Sequence, residues 1–376
     1  MTKPKLSDYY FESSFFAGFL CQSPDAAPFR SCGRNAAPRS LARPLQADTL
    51  PVSGPFFESM RTLQIDPYAA VEWDAVERHT AQFHAHSSYP PTEGHSGSDP
   101  PDRVIDDYHA AGYSVLALTG HEYNITETTW PWTDWDRDPS DLGIVAVQAA
   151  ELGGSEDGID HDLVSLFCDL ADTAEMSVDA TLTEIGDRGG LAFFPHPGRY
   201  HEDGEWYVEH FRNHPHLLGV EVVNAADRYP TNRDTWDDLL GRLDGERPVW
   251  GFANDDYHGR DEAYTFDRSR NVLLLAELTE RAVREALVDG RFFYQHLVDG
   301  PAPTVEAIHH DPDRGDLTID ATGDDQIQWV SDGTVLERGA RLRYREVDDM
   351  GGYVRARLVA ESGSETGTQP FRLTDE

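Results

Sequence analysis

The chain of 376 residues carries 31 basic against 68 acidic side chains, a formal net charge of −37, and its hydrophobic fraction of 39% is enough to fold around a substantial core. Self-repulsion at this charge would be screened over about 3 Å in molar salt, so the acidity reads as a solvated, halophilic surface, and it argues against duplex nucleic acid or an anionic membrane as partner. Three cysteines, Cys21, Cys32 and Cys168, are too few and too scattered for a disulfide framework, no apolar run reaches the roughly 18 residues that span a bilayer, and the stretch from Phe15 to Leu20 is too short for a secretory core, which together point to a reducing, cytoplasmic setting.

Residues 1–65 place Arg30, Arg34, Arg39 and Arg43 among Pro, Ala and Ser with no sustained period of 2 or 3.6, and are expected to be a poorly ordered or loosely docked extension. The main domain is expected over 66–300. A strand running into FHAH sets His84 and His86 two residues apart, on one face of an extended backbone. Val104, Ile105, Tyr108 and Ala111 then recur at helical spacing until Gly112 closes the helix. Buried strands are predicted at 114–119, 144–150, 162–167, 191–194, 217–223, 248–253, 271–276 and 291–295, with helices at 179–188, 204–213, 232–243 and 280–289 between several of them. Such alternation implies a mostly parallel sheet wrapped by helices, and the number of repeats favours a barrel over an open sheet without deciding between them. After Gly300-Pro301, short alternating segments separated by Asp- and Gly-rich turns predict a small antiparallel β domain over 301–376.

The apolar strands end in residues that bind metals. The first runs into His84 and His86, SVLALTG into His121, IVAVQAA into Glu151, LAFFP into His196, and WGFAN into Asp256 and His258, while His161 opens DLVSLF. Strand ends of a barrel converge on one mouth, so these imidazoles and carboxylates, without thiolate, have the composition of a cluster of borderline divalent metals. Arg199, three residues past His196, could fork onto a phosphate. Trp130, Trp132 and Trp135 follow His121 in a loop, and Asn224 ends GVEVVN, where it is expected to cap a turn. His109, His210, His214, His216, His309 and His310 lie away from strand ends and are expected to face solvent, with His201 nearer the site. No nucleophile elbow, Walker loop or dinucleotide fingerprint stands in a suitable context.

The order HAH, LALTGH, AAELGG with HDLVSLF, FFPHPGR, GVEVVN and NDDYH, over residues 75–298, resembles the polymerase and histidinol phosphatase (PHP) family of metal-dependent phosphoesterases. The resemblance implies an α/β fold, a distorted (β/α)7 barrel, holding two or three divalent ions (Zn, Mn or Fe) on His84, His86, Glu93, His121, Glu151, His161, His196, Asp256 and His258. It implies hydrolysis of a small-molecule phosphate ester by activated water, with Glu151 spanning two ions, Arg199 on the phosphate, and Asp256 or a histidine as general acid. The tail after residue 300, with YVRARLV, is similar to appendages in the branch of carbaryl hydrolase-like members, which implies a carboxylic or carbamic ester as the alternative substrate, and a metal- or ligand-binding barrel without turnover is a third reading. Two departures stand out: Gly120 precedes the His121 motif where the family carries Asp, and Glu93 follows HxH after a two-residue insertion, leaving His95 and Asp99 as rivals for that place. Oligomeric state is open.

Overall fold

The computed structural model describes residues 61–88, 97–121, 138–156, 158–171, 173, 175–201, 203–225, 231–244, 246–260 and 265–375, all within one unit, Phe57–Glu376. Strands β1 (Arg61–Ile65) and β2 (Glu77–Gln82) precede helix α1 (Pro101–Ala110), β3 (Val115–Ala117), the short α2 (Pro139–Leu142) and β4 (Val145–Val147). A hairpin of β5 (Ala149–Glu156) and β6 (Ile159–Leu166) follows, then α3 (Val178–Asp187), β7 (Leu191–Phe194), α4 (Glu205–Asn213), β8 (Leu217–Asn224), α5 (Asn232–Arg242) and β9 (Trp250–Asn254). The chain continues through β10 (Ser269–Leu275), α6 (Glu280–Asp289) and β11 (Phe292–His296) into β12 (Thr304–Asp311), β13 (Asp316–Thr322), β14 (Gln326–Ser331), β15 (Thr334–Arg338), β16 (Arg341–Arg343), β17 (Tyr353–Val359), β18 (Glu365–Gly367) and β19 (Phe371–Asp375). Among the described residues no helix is long and apolar enough to cross a membrane.

Local chemistry explains the helix boundaries. Helix α1 begins on Pro101, whose fixed φ suits a first helical position, and buries Val104, Ile105 and Tyr108 along one stripe. The hydroxyls of Ser177 and Thr279 cap α3 and α6 by accepting from Ala180 N and Ala282 N, and Gly290, at φ 73°, ends α6 in a left-handed turn. All eight residues of β8 are buried, as befits a central strand covered on both faces.

The fold is mixed α/β and dominated by strands. It departs from the expected (β/α)7 barrel, because among the described residues the ladders do not close and the sheets are mixed. One sheet has the order β5-β6-β7-β8-β9, antiparallel from β5 to β7 and parallel from β7 to β9. A second, of eleven strands, runs β1-β19-β17-β18-β11-β10-β2-β3-β4, with β14 and β15 branching from β17. Strands β12, β13 and β16 form a third. The departure has a local cause: β5 and β6 are joined by only two residues, a connection too short for the crossover that parallel neighbours require. Two isolated parallel bridges, Ala85 to Tyr257 and His121 to Glu151, link the parallel strands of the large sheet to the five-stranded one.

Residues 61–65, expected within the loose extension, instead form β1 and pair with β19. The antiparallel tail extends the large sheet through β18 on β11. It is also pinned to helix α5. Arg355 of β17 donates from Nε to Asp237 Oδ1 at 2.9 Å and from Nη2 to Oδ2 at 2.6 Å, Tyr353 donates to the same carboxylate at 2.8 Å, and the guanidinium lies 5.0 Å from the Trp236 ring centre. Both charges are buried, so removing one strands the other without water. Asp237→Ala is therefore expected to cost about 3–5 kcal/mol of unfolding free energy, and Asp237→Ala combined with Arg355→Met clearly less, as measured by urea denaturation.

Candidate metal centre

The two sheets deliver ionisable side chains to a common end. Beyond β2 the chain stays extended: His86 N donates to Tyr257 O at 2.8 Å and Asp256 N to His84 O at 3.0 Å, so His84 and His86 share a face while Phe83 and Ala85 turn into apolar packing. Beyond β3, the bridge between His121 and Glu151 is closed by Glu151 N donating to Gly120 O at 3.1 Å. His196 follows β7 at φ 28° and Asp256 follows β9 at φ 50°. These are left-handed conformations that side chains rarely adopt, and packing must impose them.

The result is a dense group. His84 Nε2 and His86 Nε2 are 3.1 Å apart, and each is 3.3 Å from Asp256 Oδ1. Glu151 reaches four imidazoles: His84 Nε2 at 3.5 Å and His196 Nε2 at 3.3 Å through Oε1, His86 Nε2 at 3.3 Å and His121 Nδ1 at 2.9 Å through Oε2. The His258 ring stacks on His86 with centres 4.1 Å apart. A tetrahedral ion with ligands at about 2.0–2.1 Å holds its donor atoms about 3.3 Å from one another. The separations among His84, His86 and Asp256 fit that edge, as does that between Glu151 and His196, and the donors are imidazole and carboxylate. The cluster is thus a candidate site for divalent metal ions.

A residue absent from the expected ligand set organises this one. Glu221, in the middle of β8, is fully buried. Its Oε1 accepts from His84 Nδ1 at 3.3 Å and from Asn254 Nδ2 at 3.1 Å, and its Oε2 accepts from the His196 backbone N–H at 2.9 Å and from Asn224 Nδ2 at 3.2 Å. Occupying His84 Nδ1 leaves Nε2 turned to the cluster, the arrangement by which a carboxylate orients a ligating histidine. His258 does the same with a backbone carbonyl, donating from Nδ1 to Asp256 O at 2.8 Å. Asn224, expected to cap a turn, also donates to Asp256 Oδ2 at 3.0 Å. The signal for Glu221 lay in the sequence: a charged residue inside the apolar run LLGVEVVN is tolerated only with partners.

The remaining expected residues separate. His161 is buried but lies on the opposite face of β6, stacked on Trp206 with ring centres 4.2 Å apart and beside His201 at 5.3 Å. Strand alternation is the reason: Val164 pairs with Glu151, so Asp162 shares its face and His161 does not. Asp162 Oδ2 lies 3.9 Å from His196 Nε2 and accepts from Arg199 Nη1 at 3.1 Å and from the Tyr200 hydroxyl. Arg199 thus stands at the rim, about half exposed. Asp99 accepts from the Tyr257 hydroxyl at 3.0 Å and from Arg260 N at 2.9 Å, which fastens the loop after β9. Glu93 and His95, and Trp130, Trp132 and Trp135, lie outside the described residues. His210 and His214, expected to face solvent, are buried.

Electrostatics follow from burial and neighbours. Burial disfavours a charged His84, yet Asp256, Glu151 and Glu221 outweigh it and raise the ring well above the usual histidine value. Burial, with His258 and His121 adding to it, drives His86 well below. Burial alone would raise Glu151 and Asp256, but His121 and His84 hold the first, and His84 and His86 the second, well below the usual carboxylate range. Asp162 is raised by burial and by Glu151.

Fold and site together define a mixed α/β protein with a buried histidine–carboxylate cluster at its strand ends. The chain is similar to a two-domain protein from Bacteroides vulgatus containing a predicted PHP-like metal-dependent phosphoesterase, at 15% identity and a TM-score of 0.49, covering 83% of this chain and 97% of that one. It is also similar to an amidohydrolase from Chromobacterium violaceum with bound sulfate and no metal (15% identity, TM-score 0.37, 56% and 96% covered) and to a protein from Bifidobacterium adolescentis proposed to be a metal-dependent phosphoesterase (12%, 0.37, 56% and 96%). No protein-family model matches the chain, and no curated protein matches it.

Without metal, the depressed carboxylates contribute stability that is complete above the ordinary value near 4 and lost as pH falls through their folded values, while the raised His84 contributes stability that is complete below about 6.5 and lost as pH rises through its folded value. His86, held neutral, works the other way, its contribution complete above about 6.5 and lost as pH falls toward its folded value. Thermal unfolding of chelator-treated protein is therefore expected to show its highest midpoint near about pH 6.5, with added metal shifting that maximum upward in pH as cation replaces proton. Glu221→Gln is expected to lower metal affinity by about 10–100-fold by freeing the His84 ring, measured by competition with a chelator.

Proposed function

We propose that this protein is a metal-dependent hydrolase that cleaves a small phosphate ester with water at a cluster of two or three divalent ions of the zinc, manganese or iron type. The observation that carries the reading is the spacing of imidazole and carboxylate donors around buried Glu151. In this reading His84, His86, His121, Glu151, His196, Asp256 and His258 would hold the ions, the donors falling into the groups His84, His86 and Asp256, His84, Glu151 and His196, and His86, His121 and His258, with Glu93 the further ligand expected from the sequence. His161 is left out, and Asp162 stands where it was expected to act. Bound divalent cations supply positive charge that lowers the pKa of water and offsets charge gathering on phosphoryl oxygens.

The chain's own residues account for the rest. Glu221 and the Asp256 carbonyl hold the rings of His84 and His258 in one tautomer, so no reorientation is needed when substrate arrives. Asp162, at the rim with Arg199 and Tyr200, is placed to deliver a proton to a departing alkoxide, and Arg199 to exchange Asp162 for a phosphoryl oxygen. The apolar shell behind the cluster, with Phe83, Phe193 and Phe252, keeps bulk water from the far side.

The experiment is phosphate release from a panel of monoesters and short nucleotides in molar salt with Mn or Zn, run beside carboxylic and carbamic esters. Turnover of phosphate esters is expected; turnover of the other esters alone, or a wholly inactive panel at full metal content, overturns the proposal. Glu151→Gln is expected to lower kcat/KM by at least about 100-fold, some 2.7 kcal/mol, with loss of bound metal. Arg199→Ala is expected to retain metal and raise KM for phosphate esters about tenfold; an unchanged rate and KM would remove Arg199 from phosphate recognition.

A further inference from the structure

A second group of metal-binding side chains lies on the helix side of the five-stranded sheet, the face opposite Glu151. His210 lies in the last turn of α4, and His214 follows as its extended C-cap residue, its backbone N–H donating to His210 O at 3.0 Å. Asp179, from the first turn of α3, meets them: donor atoms of Asp179, His210 and His214 lie within 4.8 Å of one another, and His214 Nε2 is 2.7 Å from Asp179 Oδ1. From β5, Glu156 Oε2 approaches His210 Nε2 to 3.5 Å. A surface ion pair would need only one of these contacts, whereas here three donors meet and a fourth, Glu156, stands beside His210.

The setting is that of a built site. Each imidazole is only 6% exposed, while the Asp179 side chain is 62% exposed, so the rings are held within the fold and one ligand faces the solvent from which an ion would enter. The His210 ring is fixed by Trp206 at 4.5 Å and Phe194 at 6.0 Å between centres. His216 is engaged elsewhere, with its Nε2 2.7 Å from Leu182 O, and does not compete. Two imidazoles and one or two carboxylates suit a borderline divalent transition ion.

We infer that Asp179, His210 and His214, with Glu156 beside them, bind a further transition-metal ion, of the zinc class, that ties α3, α4 and β5 together and takes no part in hydrolysis. Because only folded chain assembles these donors, the ion stabilises the fold.

The test uses the full chain loaded with Zn²⁺, freed of excess metal by gel filtration and measured by elemental analysis, for the wild type and for Asp179→Asn combined with His214→Gln. The variant is expected to hold one zinc equivalent fewer per chain, with an unchanged far-UV circular dichroism spectrum and ester hydrolysis within twofold. Its Tm is also expected to rise less on zinc addition. Should the double variant fail to fold, Asp179→Asn alone changes an exposed side chain and is expected to weaken retention of that equivalent about tenfold. Equal zinc content in variant and wild type, or a wild type that retains none, would reduce the group to a hydrogen-bonded pair and overturn the inference. The count is independent of whether the first cluster hydrolyses anything.

Discussion

Three carboxylates, Glu151, Glu221 and Asp256, sit almost wholly out of water around the histidine cluster, and much of the surrounding architecture answers to the cost of keeping them there. A buried carboxylate without partners would take up a proton or unfold its surroundings. Each instead has a distinct solution. Glu221 is saturated by the His84 ring, two asparagine amides and a backbone N–H, so it is a fixed charge. Glu151 is ringed by imidazoles, and Asp256 shares His84 and His86 with it. The first arrangement is complete as it stands; the other two have the geometry of ligands.

Holding those groups in place requires rigid backbone, and the sheets provide it. The residues of the cluster lie at or just past the ends of β2, β3, β7 and β9 and near the start of β5, tied across by two single bridges and by the Glu221 network. The left-handed backbone at His196 and Asp256 turns each chain sharply after its strand and aims the side chain back toward the group. The tail reinforces this from a distance. Through β18 on β11 and through Arg355 on Asp237 it braces the strands and the helix that flank β8 and β9.

The surface presents a different balance. Most ion pairs outside the site, such as Arg281 with Glu277 and Glu285 or Arg212 with Glu209 and Glu246, are exposed and contribute little each. With 31 basic against 68 acidic side chains, most acids have no such partner to draw on. Salt is therefore expected to matter to this surface as it does not to the buried cluster, where screening ions have no access.

Much of the site could be read from one dimension. Apolar strands ending in His84, His86, His121, Glu151, His196, Asp256 and His258 are a pattern whose meaning depends only on strand ends meeting, and they do meet. Helix limits were equally legible, because capping residues and apolar stripes act within a turn of the chain. Other features turned on partners far away in sequence. That β5 and β6 pair antiparallel, leaving the ladders unclosed, depends on a two-residue connection inside what reads as two separate strands. The same register turns Asp162 inward and His161 outward, since a strand shifted by one residue exchanges its faces. Glu221 became visible as an organiser only once His84, 137 positions away, lay against it. His210 and His214 look like surface residues on a polar helix until α3 and β5 close over them. Sequence alone determined which residues can bind ions and where the strands end; tertiary structure decided which of them face one another, because facing is a property of register and packing between segments distant along the chain.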